Sequence, residues 1–226
     1  PYRVEYRPVY NPHTKNELLR VLDQLADCGV KAWWYAVSTK GAYPFVASKH
    51  LPHREETVDY LPWLVDEAHQ RGIAVFAWHY FATAPFLSKR HEEWGWRYFD
   101  GVEPTKEKDR HYFCHNSPYG ELMCRFSEEV VCEFGFDGIW YDGSLLFENA
   151  DHSKVACCCR YCEAKYKQTT GRDIPREFDL NNPDFRFFLE WRQADYMDYW
   201  RRLSQRVKAK KPEAIIAFNH FNRFNN

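Results

Sequence analysis

The chain has 226 residues, 45% of them hydrophobic and 18% aromatic, so it is long enough to bury a sizeable core. Its 31 basic and 32 acidic residues give a formal net charge of -1, which argues against nucleic acid and anionic membrane surfaces as partners. The longest apolar stretches, such as residues 30–37, are too short to span a bilayer. No signal peptide opens the sequence at Pro1, and a cytoplasmic location is expected, although the true N-terminus is not identified.

Strand-like runs alternate with helical periodicities along the chain, a pattern typical of β/α units around a parallel sheet. In chain order, the predicted elements are a strand at 3–6, a helix at 15–27, a strand at 31–38, a helix at 57–70, a strand at 73–80, a helix at 120–134, a strand at 138–141, helices at 161–169 and 183–208, and a strand at 214–218. No Gly-rich phosphate loop follows any strand, which disfavours a doubly wound nucleotide-binding sheet. The sequence therefore predicts an α/β fold of the (β/α)8 TIM-barrel type. Because a full barrel needs about 250 residues, we expect residues 1–226 to hold only the first five β/α units, as the N-terminal part of a single barrel domain.

Two segments interrupt this alternation. Residues 81–115 have no sustained period, and loops of that length are usually functional or disordered; the tryptophans at 94 and 96 favour order. Residues 144–175 form a cysteine-rich insertion. On the helix at 183–208, basic residues alternate with Glu190, Asp195 and Asp198, which predicts a solvated face.

The segment GFDGIWYDG at 135–143 places two aspartates at opposite ends of one short strand. Asp137 stands at the N-terminal end, where a turn or cap role is favoured. Asp142 stands at the C-terminal end, where barrel enzymes carry their chemistry. Gly143 allows the backbone to turn away and leaves the carboxylate exposed on the rim. The alternative is that Asp142 only caps the loop that follows.

Four cysteines crowd into residues 157–162. Cys157, Cys159 and Cys162 have a Cys-x-Cys-x-x-Cys spacing, in which three thiolates can occupy three corners of the tetrahedron that structural zinc prefers. A fourth ligand must then come from elsewhere. Free thiols, or a disulfide in an exporting cell, are the alternatives.

Other candidate ligand-binding residues lie within strands or near their ends. His79 and Tyr80 close the strand at 73–80, and alternation directs only one of them inward. His79 shares a face with Val75 and Ala77, which are small enough to line a barrel interior, so a ligand-binding role is as plausible for it as a structural one. The further candidates for substrate binding are Trp34, Asn116, Trp140, Asn219 and His220. For Asn116 the alternative is a turn residue that caps the helix at 120–134.

Six segments between about Leu51 and Pro175 resemble, in the right order, the hypothetical glycosyl hydrolase 6 family, a predicted barrel group. They are RGIAV (71–75) after a helix, HEEW (91–94) with DG (100–101), CHNSPY (114–119), DGIWYDG (137–143), the cysteine cluster (157–162) and TGRDIP (170–175). Glu92 stands where a proline is expected, a departure that touches no chemistry. The resemblance implies a glycoside hydrolase that acts on a carbohydrate and needs no organic cofactor.

Two narrower resemblances imply roles for single residues. The WYDG turn at 140–143 is similar to the nucleophile strand of α-L-fucosidases, which implies that Asp142 is the nucleophile of a retaining glycosidase. The cysteine segment is similar to that of family 42 β-galactosidases, which implies Cys114 as the fourth zinc ligand and leaves Cys158 out. A glycosidase also needs an acid–base carboxyl group. Glu148 and Asp151 are candidates for it, but a residue beyond Asn226 is expected.

Two other functions compete with this hypothesis. In a non-catalytic carbohydrate-binding barrel, aromatic side chains would hold the glycan and Asp142 would only accept hydrogen bonds from sugar hydroxyls. A metal-dependent hydrolase such as a deacetylase would need histidine and aspartate ligands with an open position, whereas this cluster is all thiolate. An oligomer formed through regions outside this chain is left open.

Overall fold

The computed structural model of the chain describes residues 3–7 (backbone), 14–38, 48–51, 60–81, 87, 90–102, 112–143 and 155–219. The elements, in order, are β1 (Arg3–Arg7), α1 (Lys15–Asp27), β2 (Val30–Ala36), α2 (Leu61–Gln70), β3 (Ala74–Tyr80), a 3-10 turn (Glu92–Trp94), α3 (Pro118–Glu128) with a π-helical turn (Glu129–Glu133), β4 (Gly138–Asp142), α4 (Arg160–Thr170), α5 (Pro183–Lys210) and β5 (Ile215–Phe218). None of the helices within these ranges has the length and apolar character needed to cross a membrane.

The five strands form one parallel sheet in the order β1-β2-β3-β4-β5. At least one helix connects each strand to the next. An order without reversal is that of a (β/α) barrel, whereas a doubly wound sheet reverses its order at a switch point. The predicted sequence of five β/α units is therefore confirmed, and each strand boundary was predicted to within two residues.

Helix α1 forms where the sequence supplies both a cap and an apolar stripe. Thr14 and Glu17 make a reciprocal capping box at the start of α1, with the Glu17 backbone N donating to Thr14 Oγ1 at 3.2 Å. Leu18, Leu22 and Leu25 then follow at helical spacing and are buried against the sheet. Burying such leucines contributes roughly 1.5–3 kcal/mol each before the entropy cost of ordering the chain.

Side chains alternate between the two faces of the sheet. One face packs against the helices in a common core; its strand residues include Trp33, Tyr35, Val75, Ala77, Ile139 and Tyr141. The opposite face is built in layers that the strand register defines. One layer contains Trp34 and Phe76, whose rings stack at 5.1 Å, and the next contains Trp78 opposite Trp140. Large aromatic side chains therefore fill the face that becomes the interior of a barrel.

The two irregular segments, predicted as separate features, pack together into a second, smaller core. It joins parts of 90–102 and 112–116 with 155–174 and the first turns of α5. Backbone hydrogen bonds connect the pieces, from Trp96 N to Tyr112 O and from Cys158 N to Arg97 O, both at 2.7 Å. In the described part of the long loop, Trp96 and Tyr98 pack against the cysteine insertion.

Helix α5 spans both cores, which makes the prediction of a fully solvated face wrong in its middle. Phe185 and Phe188 belong to the smaller core, and the residues from Tyr196 onward belong to the main one. Between them, the residues Arg192 and Asp195 are only 5% and 8% exposed. The charge pattern along the helix did not reveal this burial because the covering residues come from a distant part of the chain.

Candidate functional site

β4 ends at Asp142, which is in register with Tyr80 of β3. Backbone hydrogen bonds hold the strand ends together: Phe81 N donates to Asp142 O at 2.7 Å, and Asn219 N donates to Tyr141 O at 3.1 Å. Because side chains alternate along a strand, Tyr80, Asp142 and Asn219 share the face opposite the helices. They form what we call the strand-end site, at the C-terminal edge of the sheet.

The Asp142 carboxylate is partly buried and is held by one of its two oxygens. The Gly143 backbone N donates to Oδ1 at 2.7 Å, and the Asn219 side-chain Nδ2 donates to the same atom. No described residue donates to Oδ2. The carboxylate therefore has a fixed orientation with one oxygen open, which a loop-capping role alone does not require.

Gly143 is needed directly after Asp142. Its φ of +68° lies in the left-handed region, which side chains disfavour. A Cβ placed there would also lie 2.6 Å from Cε2 of the Tyr80 ring. The glycine therefore lets Tyr80 pack beside the turn and keeps it next to Asp142.

Beneath the strand-end site lies an aromatic floor. Trp140 precedes Asp142 by two residues and projects from the same face, partly exposed, opposite the buried Trp78. Trp34 lies one layer further down, stacked on Phe76. Of the predicted substrate-binding residues, Tyr80, Trp140 and Asn219 are therefore brought close to Asp142, and Trp34 lies in the layer below Trp140.

His79 does not line this face, and the prediction that placed it in the interior with Val75 and Ala77 is wrong. The side chain is 0% exposed and packs on the helix side, with its ring centroid 4.8 Å from that of Phe126 and 5.6 Å from that of Tyr141. Side-chain size did not reveal which face this is, because the helix-covered face carries both small and bulky side chains. Burial lowers the pKa of His79 to about 3, which keeps its ring neutral.

Three candidates fall outside the described residues: Glu148, Asp151 and His220. The strand ends that flank Asp142 carry Tyr80 and Asn219. Neither of these two neighbours is a carboxylate, so neither flanking strand end supplies the second carboxyl group that a glycosidase needs.

Four sulfur atoms meet in the smaller core. The Sγ atoms of Cys114, Cys157, Cys159 and Cys162 all lie within 4.8 Å of one another, and all four residues are buried. We call this group the cysteine cluster. Cys158 lies between two of its members in the sequence but turns its thiol to the Val155 carbonyl at 3.7 Å. The structure thus brings together the four cysteines that the sequence pointed to and leaves out the fifth.

The cluster strongly affects the acidity of its thiols. Burial raises the pKa of Cys114 well above its ordinary value. Hydrogen bonds from Cys114, Cys157 and Cys162 instead hold the pKa of Cys159 far below its ordinary value. One sulfur in the group is therefore predisposed to carry negative charge, as a cation ligand must.

Asn116 lies against this cluster. Its backbone N approaches Cys114 Sγ at 3.3 Å and its Nδ2 approaches Cys162 Sγ at 3.5 Å, and none of its hydrogen bonds reaches Asp142. Nor does it cap α3, because Ser117 takes that position and its side chain accepts from Tyr119 N. The expectation of a helix cap is wrong by one residue, since Pro118 begins the helix two residues before the predicted start.

A buried carboxylate supports Asn116, and sequence reasoning missed it. Asp195 of α5 accepts hydrogen bonds from His115 Nε2 at 2.9 Å and Asn116 Nδ2 at 2.6 Å, and it pairs with Lys165 Nζ at 2.5 Å. Burial raises the pKa of Asp195, but its bonds to His115, Lys165 and Asn116 outweigh that effect and hold it well below its usual range. The CHN triplet at 114–116 was the available signal, but nothing in the sequence links it to residue 195.

The chain was compared with solved structures, with curated protein sequences and with models of protein families. The chain is similar in structure to α-L-fucosidase isoenzyme 2 from Paenibacillus thiaminolyticus, with a TM-score of 0.71 and 20% identity over 96% of this chain and 32% of that one. It is also similar to the β-galactosidase from the psychrophilic Marinomonas ef1, with a TM-score of 0.63 and 13% identity over 94% and 36% of the two chains. A hypothetical protein from Ruminiclostridium thermocellum ATCC 27405 gives a TM-score of 0.56 and 13% identity over 91% and 92%.

At these identities the similarities show the fold, which is that of part of a TIM-type (β/α) barrel. The chain spans about a third of the fucosidase and the galactosidase. Comparison with curated protein sequences finds no match. The model of a family described as Glycosyl hydrolase-like 10 matches residues 19–226. The resemblance seen in the sequence is thus confirmed at the level of a glycosyl hydrolase-like family, whereas the hypothetical glycosyl hydrolase 6 label is not confirmed. Since the match covers most of its length, the chain belongs to the Glycosyl hydrolase-like 10 family.

Proposed function

We propose that this chain is part of a glycoside hydrolase that cleaves glycosidic bonds, with Asp142 as its carboxylate nucleophile and with retention of anomeric configuration. The observation that carries this proposal is the Asp142 carboxylate at the C-terminal edge of the sheet, held through Oδ1, with no donor to Oδ2 from the part of the chain that the structure describes. Active sites of TIM barrels lie at this edge. Membership of a glycosyl hydrolase-like family supports the same class of reaction.

In the proposed reaction, Asp142 Oδ2 attacks the anomeric carbon on the face opposite the leaving group. A C–O bond to Oδ2 forms as the glycosidic C–O bond breaks, and the leaving oxygen takes the electron pair together with a proton from a carboxylic acid. Water, deprotonated by the same carboxyl group, then cleaves the glycosyl ester and restores Asp142. We expect that second carboxyl group to come from outside the described residues, because the strand ends beside Asp142 carry Tyr80 and Asn219.

The aromatic floor is suited to hold the sugar. Tyr80 flanks Asp142, and the partly exposed Trp140 lies directly below it. Aromatic rings pack well against the C–H faces of pyranoses, so we assign these two residues to substrate contact and Trp34 to the support of the floor. We also propose that the chain is the N-terminal part of a single barrel catalytic domain.

We propose that the cysteine cluster binds one structural zinc ion. A zinc–sulfur distance of about 2.3 Å places four tetrahedral sulfurs about 3.8 Å apart, which fits sulfur atoms that all lie within 4.8 Å of one another. Such a site would cross-link the segment at 114, the insertion and the start of α4. With four thiolate ligands it has no open position, so its role is to hold these segments together and the reaction is left to Asp142.

The test is activity of the full-length protein on nitrophenyl glycosides, beginning with the α-L-fucoside and the β-D-galactoside because two similar structures carry those names. The decisive variant is Asp142→Asn, which keeps the side-chain shape and removes the charge. Hydrolysis should fall by roughly 10³-fold or more, equivalent to about 4 kcal/mol of transition-state stabilisation. NMR of the first-formed product reports whether the configuration is retained.

Asp137→Asn is a matched control, since Asp137 lies at the other end of the same strand. Its carboxylate accepts from Val75 N at 2.7 Å and contacts His69, which indicates a structural role. This variant should keep its turnover, even if its thermal midpoint falls. Equal activity of wild type and Asp142→Asn would sink the nucleophile assignment. A protein that binds glycans but hydrolyses none of the panel would instead be a carbohydrate-binding barrel.

A further inference from the structure

Asn219 occupies a defined position because strand pairing continues past the end of β5. Its backbone N donates to the Tyr141 carbonyl at 3.1 Å, as the next rung of the β4–β5 ladder. This rung aims the side chain at the face where the Asp142 carboxylate projects. The amide Nδ2 then donates to Asp142 Oδ1.

We propose that Asn219 is a positioning residue that fixes the Asp142 carboxylate by Oδ1 and so presents Oδ2 to the anomeric carbon. This inference rests on the proposed nucleophile role of Asp142. It differs from the substrate-binding role that the sequence suggested, since the amide donor is directed at the carboxylate.

Both donors meet at the same oxygen of Asp142. A carboxylate rotates readily about its terminal torsion, and Gly143 N alone, at 2.7 Å from Oδ1, fixes one point of it. A second donor to Oδ1, from a neighbouring strand, fixes the plane of the group and distinguishes the two oxygens. A misplacement of about 1 Å at a reacting atom can cost roughly 10²-fold in rate, so this constraint affects catalysis directly.

The chemical nature of the donor also suits the role. A primary amide is neutral and donates without a proton that it could lose. A lysine or arginine in its place would neutralise the attacking carboxylate, and an aspartate or glutamate would repel it. Asparagine orients Asp142 and leaves its charge available for attack.

The experiment compares wild type, Asn219→Ala and Asn219→Asp in the full-length protein, with the nitrophenyl glycoside that wild type hydrolyses. Asn219→Ala should lower kcat by about 10–100-fold and leave KM within about twofold, because the ground state binds without Asp142 being aligned. Covalent labelling of Asp142 by the corresponding 2-deoxy-2-fluoro glycoside, followed by mass spectrometry, should slow by a similar factor.

Asn219→Asp gives a pH signature that a purely structural residue would not produce. Near neutral pH two carboxylates would face each other and kcat should be low. As the pH falls, the pair takes up a shared proton, an O–H donor to Oδ1 replaces the lost N–H donor, and the activity relative to wild type should rise. A wild-type pH profile in this variant would overturn the inference.

The outcomes separate this inference from the proposed function. If Asp142→Asn is inactive while Asn219→Ala keeps kcat, or raises KM alone, only the positioning role fails and Asn219 returns to substrate binding. If Asp142→Asn is fully active, or wild type hydrolyses no member of the panel, both proposals fall.

Discussion

The strand-end site and the cysteine cluster both gather polar atoms from distant parts of the chain, but they leave those atoms in different states. At the strand end, Asp142 receives two donors on one oxygen, and no described residue donates to the other. In the cluster, four buried sulfurs face one another, and amide groups of Asn116 approach two of them. Among the described residues, one oxygen of Asp142 therefore has no donor, whereas all four cysteines of the cluster are buried.

This difference is the one expected if, as proposed, Asp142 reacts and the cysteine cluster holds a structural metal ion. Structural metal centres are saturated by protein ligands, whereas reactive centres keep a position free. The residues that hold the carboxylate in each region also differ. Asp142 is oriented by neutral amides, while the buried Asp195 beside the cluster pairs with Lys165 and accepts a hydrogen bond from His115. Variants in the two regions should therefore change different observables.

The largest effect expected on stability is that of a cluster cysteine. Cys159→Ser should lose the bound zinc, measured by mass spectrometry of metal content, and lower the thermal midpoint by about 10 °C or more, because metal binding contributes directly to folding. Turnover per folded molecule should change little. Cys158→Ser is the matched control: its thiol bonds to Val155 O outside the cluster, so the metal should be retained. A Cys159→Ser protein with full zinc and an unchanged midpoint contradicts the metal site.

At the strand end, the second-largest effect is expected from Gly143→Ala. The new Cβ would adopt a φ of +68° and lie 2.6 Å from the Tyr80 ring, so the ring or the turn must move. We expect a loss of about 1–2 kcal/mol in unfolding free energy from the backbone strain and a fall in kcat/KM of about tenfold or more from the displaced ring.

Gly101→Ala controls for the strain alone. Gly101 has a φ of +82° and nothing within 4 Å of the position of its Cβ. The Gly101→Ala variant should lose a similar amount of unfolding free energy and keep the kcat/KM of wild type. Equal activity losses in the two variants would show that the Tyr80 contact is not important.

The contrast between the regions also explains which features could be predicted from sequence. Elements with a local cause were predictable: the capping box of Thr14 and Glu17 and the leucine spacing behind it place α1 at Lys15–Asp27, as expected. The same holds for Asp142, since the strand length and the following glycine place it at the end of β4. Local periodicity thus located the residue proposed to react.

Features that depend on long-range packing were not predictable. Alternation shows that Val75, Ala77 and His79 share a face, but it does not say which face meets the helices. Side-chain size suggested the interior, whereas the helices cover these residues and Trp78 fills the other side. The burial of Asp195 likewise depends on segments far away in the sequence.

The buried His79 allows a test of that face assignment through pH. The pKa of His79 is about 3 in the folded protein and 6.5 in the unfolded chain. Between these two pH values the unfolded chain binds a proton at His79 and the folded protein does not. The contribution of the neutral His79 ring to the unfolding free energy is complete above pH 6.5 and is lost as the pH falls towards 3. Between pH 7 and pH 5 we expect the unfolding free energy, measured by urea titration, to fall by about 2 kcal/mol from this residue.

His79→Phe keeps a ring between Phe126 and Tyr141 and removes the titration. Between pH 7 and pH 5, the unfolding free energy of this variant should change by about 2 kcal/mol less than that of wild type. The control is His50→Gln, which replaces a histidine outside the main core and should keep the pH dependence of wild type. If His79→Phe shows the same pH slope as wild type, the ring is accessible to protons and the face assignment is wrong.

The smallest effect is expected from Asn116→Ala, which tests whether Asn116 belongs to the cysteine cluster or to the strand-end site. Its amide contacts Cys162 Sγ at 3.5 Å and Asp195 at 2.6 Å, so Asn116→Ala should weaken zinc binding by about tenfold. A chelating dye in competition with the protein measures that change. The kcat and KM for the glycoside should stay as in wild type, because none of the hydrogen bonds of Asn116 reaches Asp142. Asn219→Ala is the counterpart and should change kcat while leaving the metal bound. A raised KM in Asn116→Ala, with zinc affinity intact, would return the residue to the substrate site that its sequence suggested.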